Sequence, residues 1–140
     1  MPIGIDNNNP TNLRPLPAGE LWNGQTGSMG GFCVFQDPEH GIRAAAITLR
    51  SYGRAGTNTV RTIYRTWAPA SDGNDPDAYG AFVSAQTGFG LDQVLDLTDQ
   101  PTLVALISAS TLMENGNPPN WAGNWYTPDV FQAGVALAFT

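Results

Sequence analysis

Asp99-Gln100-Pro101-Thr102-Leu103-Val104-Ala105-Leu106-Ile107-Ser108-Ala109-Ser110-Thr111-Leu112-Met113-Glu114-Asn115-Gly116 carries no charge between its first residue and Glu114. Leu103, Leu106, Ile107 and Met113 recur at the spacing of one helical face. Asp99 offers a side-chain oxygen to an orphan backbone N–H, and Pro101 sits in the first turn, where its missing N–H costs nothing. Asn115-Gly116 ends the run. The spacing predicts a core helix from about Pro101 to Glu114.

The same starting device recurs along the chain. Asp37-Pro38, Asp75-Pro76 and Thr127-Pro128 each place a capping side chain before a first-turn proline. They predict helices over about Pro38 to Tyr52, Pro76 to Gln86 and Pro128 to Ala138, with a further one over Val60 to Trp67 that stops before Pro69. Ile42, Ala45, Ala46, Leu49 and Tyr52 form the apolar face of the first, and Tyr79, Phe82 and Val83 that of the third. Phe32-Cys33-Val34-Phe35 follows the glycine turn Gly27-Ser28-Met29-Gly30-Gly31 and reads as a strand or hairpin arm. The first 31 residues otherwise read as irregular. The expectation is one mainly α (α+β) domain over residues 1–140, with a small N-terminal hairpin or loop region. No internal repeat and no dividing linker is evident.

Composition narrows the function. Hydrophobic residues are 41% and charged residues 13% of the chain, with 16 glycines and 11 prolines placed between apolar runs, as in a folded domain rich in loops. No run reaches the roughly 18 apolar residues that a membrane span needs, and no charged segment leads into an apolar one as in a secretory signal. Net charge is −6. Lysine is absent, and Arg43, Arg50, Arg54, Arg61 and Arg65 leave only Arg14 outside one segment. Such a balance argues against nucleic acid as a partner. The single histidine, His40, and single cysteine, Cys33, cannot supply the usual ligands of a zinc site or an internal disulfide. Neither a metal nor another cofactor is expected. Cys33 lies in an apolar run, where a buried, inert thiol is the simpler reading than a Cys33–His40 dyad.

Only three glutamates occur: Glu20, Glu39 and Glu114. Glu20 is in a proline-glycine loop. Glu39 stands in a first helical turn, where the dipole favours a carboxylate. Glu114 stands at the opposite, negative end of an apolar helix with no basic residue near it in sequence. Burial and the helix end both disfavour ionisation, so a carboxyl above its ordinary range is expected. A protonated glutamic acid is what cleavage of a glycosidic bond requires. Taken alone, the same residue also reads as a solvated helix-terminal charge.

Asn8-Asn9-Pro10-Thr11-Asn12-Leu13-Arg14 with Trp22-Asn23-Gly24 resembles the NNPGNIR…W-x-G opening of the small virion-associated phage lysins of lysozyme-like fold. Phe32 to Ala44 is similar to that family's F-x-x-F-x-x-x-x-x-G-I-R-A stretch, and Trp67-Ala68-Pro69 with Asn74-Asp75 and Tyr79 to its W-A-P…N-D-x-x-x-Y block. Thr11 stands where the family has glycine. A second resemblance is to bacterial glucosaminidases, in which a helix ends in the catalytic Glu and the Asn-Asn, Trp-x-Gly and aromatic elements follow it. Here those elements come first, an order that looks like a circular permutation and demands that Glu114 sit against Asn8, Asn9 and Trp22.

The resemblance implies a phage peptidoglycan hydrolase that cuts the glycan strand, as a lytic transglycosylase or muramidase. Glu114 would be its catalytic acid, with Asn8, Asn9, Trp22, Tyr79, Trp121 and Trp125 toward the substrate. Tyr79 and Asn9 read equally as a core aromatic and a turn residue. Trp121, Trp125 and Tyr126 suit sugar stacking and equally a loop pinned on the core. Bacterial peptidoglycan and other virion proteins are the implied partners, at the virion or in the host periplasm. The alternatives are a peptidoglycan endopeptidase and a non-catalytic virion or wall-binding protein.

Overall fold

The computed structural model describes residues 1–119 and 123–140. It is mainly helical with one small sheet: α1 Ile3–Asp6, β1 Gln25–Met29, β2 Phe32–Phe35, α2 Pro38–Arg54, α3 Val60–Trp67, α4 Pro76–Thr87, α5 Gln100–Asn115 and α6 Pro128–Leu137. This is the expected α+β class. The capping side chains act as read: Asp37 accepts from the His40 N–H, Asp75 from Ala78 and Asp99 from Thr102. Thr127 makes no such bond. Helix α3 opens on a capping box between Thr59 and Thr62, which holds two orphan donors reciprocally.

Two parts of the N-terminal region depart from the sequence reading. Residues 3–6 form a single helical turn, too short to show periodicity, and Gln25–Met29 forms a strand although Gln-Thr-Gly-Ser-Met has no apolar alternation. Its partner supplies the order. β1 pairs antiparallel with β2 in the register Met29↔Phe32 and Ser28↔Cys33, with an irregularity between Gln25 and Gly27. The connection is Gly30-Gly31, both at positive φ, the backbone that two-residue hairpins need.

The main core gathers Ile42, Leu49, Ile63, Tyr64, Val83, Leu103, Leu106, Ile107, Phe131 and Val135, all essentially inaccessible to solvent. Each such aliphatic side chain contributes about 1.5–3 kcal/mol through burial. Met113 does not join them: it is 37% exposed. A quarter-turn away on α5, Ser110 is buried instead, so the face that enters the protein is apolar for two turns and polar in the last. A second, smaller cluster of Cys33, Phe35 and Ala44, with Leu13 and Trp22 against it, joins the hairpin to α2.

A candidate acid site at the end of helix α5

The loop after α1 is fastened to the hairpin by asparagines. Asn9 is fully buried; its Nδ2 donates to the carbonyls of Leu13 and Cys33, and its Oδ1 accepts from the Leu13 N–H, each at 2.9 Å. Asn8 Nδ2 donates to the Phe35 carbonyl at 3.0 Å. Asn8 and Asn12 both take left-handed backbone, φ 54°, which asparagine tolerates better than most residues. The loop then crosses α2 at Gly41, where an added Cβ would stand 2.0 Å from the Asn8 carbonyl oxygen. The glycine of the Gly-Ile-Arg-Ala stretch is therefore there for close backbone approach.

This fastening brings residues 10–14 against the end of α5. Asn115 Nδ2 donates to the Pro10 carbonyl at 2.8 Å, and Asn12 Nδ2 donates to Glu114 Oε1 at 3.1 Å. From the other side, the Tyr79 hydroxyl of α4 donates to Glu114 Oε2 at 2.8 Å. Tyr79 is stacked on Tyr64 with ring centroids 4.5 Å apart, and the Tyr64 hydroxyl meets Ser110 at 2.7 Å. The tyrosines thus fix the carboxyl from a rigid wall, the stack itself adding about 0.5–1.5 kcal/mol. Burial pushes the Glu114 carboxyl above its usual range, outweighing the two donors, which pull the other way. Among the described residues, no arginine or histidine makes an ion pair with Glu114 to offset the burial. Burial and the neighbouring Glu114 likewise drive the Tyr79 hydroxyl well up, so it stays a donor.

Glu114 opens on a cleft of about 110 Å³ lined by Asn12, Arg14, Phe32, Trp67, Asp72 and Asn74, among others. The Arg14 guanidinium lies over the Phe32 ring, 5.1 Å from its centroid. Larger grooves of about 540 and 560 Å³ flank α5 and α6. Val104, Ala105, Leu112 and Phe131 are among their walls, and neither contains a carboxylate, histidine or arginine. A groove of about 310 Å³ elsewhere holds Arg50, Arg54 and Asp96, whereas Glu114 lines the small polar cleft.

Of the residues expected at a site, Glu114 and Tyr79 are in direct contact. Asn8 and Asn9 flank the cleft in sequence, but their side chains are spent on hairpin carbonyls. Trp22 packs against the small second core. Trp125 donates its Nε1–H to the Gly116 carbonyl at 2.8 Å, closing the end of α5 without lining the cleft. Trp121 lies outside the described residues. Asn12, Arg14 and Asp72 were not among the expected site residues; Asn12 and Arg14 lie in the Asn-rich motif itself, and Asp72 lies in a loop of no distinctive pattern. Cys33 is inaccessible, with burial pushing its thiol up. His40 Nδ1 is bound to Asp37 at 2.7 Å. Among the described residues no three of His, Cys, Asp and Glu cluster as a metal site would need, and no helix is long and apolar enough to cross a membrane.

The fold and site together define a small α+β protein with a half-buried glutamic acid at a helix end, facing a polar cleft. No family model matches the chain. It is 36% identical over 140 residues to Protein P5 of Pseudoalteromonas phage PM2, an alignment covering 97% of this chain and 81% of that protein. The chain belongs to the family of this bacteriophage protein.

Proposed function

We propose that the chain is a phage peptidoglycan-degrading enzyme that cleaves the glycan strand, with Glu114 as its catalytic acid. The observation that carries this reading is the carboxyl itself: buried by the end of α5, raised by that burial, gripped by Tyr79 and Asn12, and open on one side to a polar cleft. A general acid needs this combination of a held proton and access to the leaving oxygen. The cleft is too small for a disaccharide, so it receives one edge of a sugar, the rest of the strand lying across the surface beside Phe32 and Trp67. Protonation of the glycosidic oxygen by Glu114 breaks the bond. The resulting carboxylate then serves as base, either toward the sugar's own 6-hydroxyl, giving an anhydro product, or toward water, giving a reducing end.

One observation favours the hydrolytic branch: Asp72 lines the same cleft and is a second carboxyl for a two-acid mechanism. Arg14, in the same wall, suits a carboxylate on the stem peptides. Kinship with a phage protein supports a phage setting for that action, from the virion or after release into the periplasm.

Mass spectrometry of digested sacculi tests the reading and its branches. Anhydro-muropeptides identify a transglycosylase and reducing muropeptides a muramidase. Freed peptides would replace the reading with an endopeptidase, and absence of product with a binding protein.

A further inference from the structure

Around the acid, two buried acceptors have no donor. Asn12 Oδ1 and Asn115 Oδ1 are both shielded from solvent and unbonded. They converge on Gly4: a Cβ built there would stand 2.5 Å from Asn115 Oδ1 and 2.9 Å from Asn12 Oδ1. Two acceptor oxygens directed at one point, with none of the donors that buried oxygens normally find, is a costly arrangement. A carboxamide has two orientations, related by turning its end over. With Nδ2 on Glu114, as described, Asn12 suits a carboxylate. Turned over, its Oδ1 can accept a proton from Glu114 Oε1, and its Nδ2 takes the place of Oδ1 on the Gly4 side, where the Asn115 oxygen also lies.

We propose that the Asn12 carboxamide is a proton-coupled positioning group: it turns over when Glu114 takes up a proton, accepting from the acid and donating to Asn115 Oδ1, and turns back when the proton leaves. The rest of the surroundings permits this. Tyr79 donates to the other oxygen, Oε2, in both states. Tyr64 behind it is engaged with Ser110. Arg14 and Asp72 lie in the cleft wall and make no hydrogen bond to the carboxyl. The proton is thereby kept on Oε1, the oxygen on the Asn12 side of the cleft, and the carboxylate left after transfer recovers a donor at the same atom. That benefit to catalysis rests on the glycan-cleaving reading; the motion of the amide does not.

The test uses the full chain, isotope-labelled, with the three glutamate carboxyl signals followed by NMR against pH. Below the Glu114 midpoint, the Asn12 Nδ2 protons should show a strong nuclear Overhauser contact with the Gly4 α-protons, which weakens above it. Asn12→Gly keeps the left-handed backbone and deletes the amide. Because the amide serves the carboxylate as donor and the acid as acceptor, its loss should leave the Glu114 midpoint within about half a pH unit of the parent's. A contact that does not change across the midpoint, whether absent or present, overturns the proposal. So does a midpoint that rises by about one pH unit or more in Asn12→Gly, since Asn12 would then act only as a donor to the carboxylate. Neither readout needs turnover. A chain that passes both yet releases no wall product leaves the switch standing and refutes the glycan reading alone.

Discussion

The two halves of the loop after α1 use the same residue for opposite ends. In the first half, Asn8 and Asn9 give their carboxamides to main-chain carbonyls of the hairpin and of the loop itself; all three hydrogen-bonding positions used by Asn9 are filled at 2.9 Å. In the second half, three residues on, Asn12 gives one side of its amide to Glu114 and leaves the other unbonded. The first half secures the loop and the second presents it to the acid. Residue type and spacing do not separate the two; burial and hydrogen-bond satisfaction do.

Breaking the first half should cost stability. Asn9→Ala removes three buried hydrogen bonds and is expected to lose about 3 kcal/mol in chemical denaturation, with a normal Glu114 titration in the fraction that folds. Gly41→Ala, which drives a Cβ into the Asn8 carbonyl, should lose about 2–3 kcal/mol by the same measurement. Breaking the second half should cost activity. Asn12→Gly is expected to unfold within about 1 kcal/mol of the parent, its backbone being compatible with glycine, while wall cleavage drops about tenfold. Equal stability losses at Asn9 and Asn12 would erase the distinction between the halves.

The acid itself adds a pH dependence with a definite sign. Because its carboxyl is raised on folding from an ordinary 4.5, the folded chain holds a proton that the unfolded chain releases. Its contribution to stability is complete below that value and is lost as pH rises through the folded midpoint. Denaturation midpoints should fall across that window in the parent and not in Glu114→Gln. The smallest effect is expected far from the loop: Arg61 and Asp92 pair at 2.8 Å on the exposed surface, and Arg61→Ala should leave the denaturation midpoint unchanged, as solvent screening makes exposed pairs weak.

Much of this was legible before any coordinates, for identifiable reasons. Caps followed by proline act locally, so helices α2 and α4–α6 begin within a residue of where Asp37, Asp75, Asp99 and Thr127 place them. Glu114 stood out because glutamate is scarce and α5 is otherwise uncharged. Strand β1 was not legible, since its order comes from pairing with β2, and α1 is one turn long. Met113 read as core because the apolar pattern continues to it, whereas the helix face that enters the protein turns through Ser110 to Glu114. Asp72 and Arg14 reach the cleft from segments about 60 residues apart, a meeting that local pattern does not encode. Trp22 drew notice through the Trp-x-Gly element of the resemblance, and its ring packs against the small second core.

The proposed function turns on Glu114 delivering the proton that cuts the glycan strand. It is tested most directly by incubating purified sacculi with the chain and with Glu114→Gln, under conditions where both are shown to be folded. The account predicts soluble muropeptides from the parent and a loss of at least about a hundredfold in the variant, within the range for a general acid. Muropeptide release by Glu114→Gln at the parent's rate would contradict it.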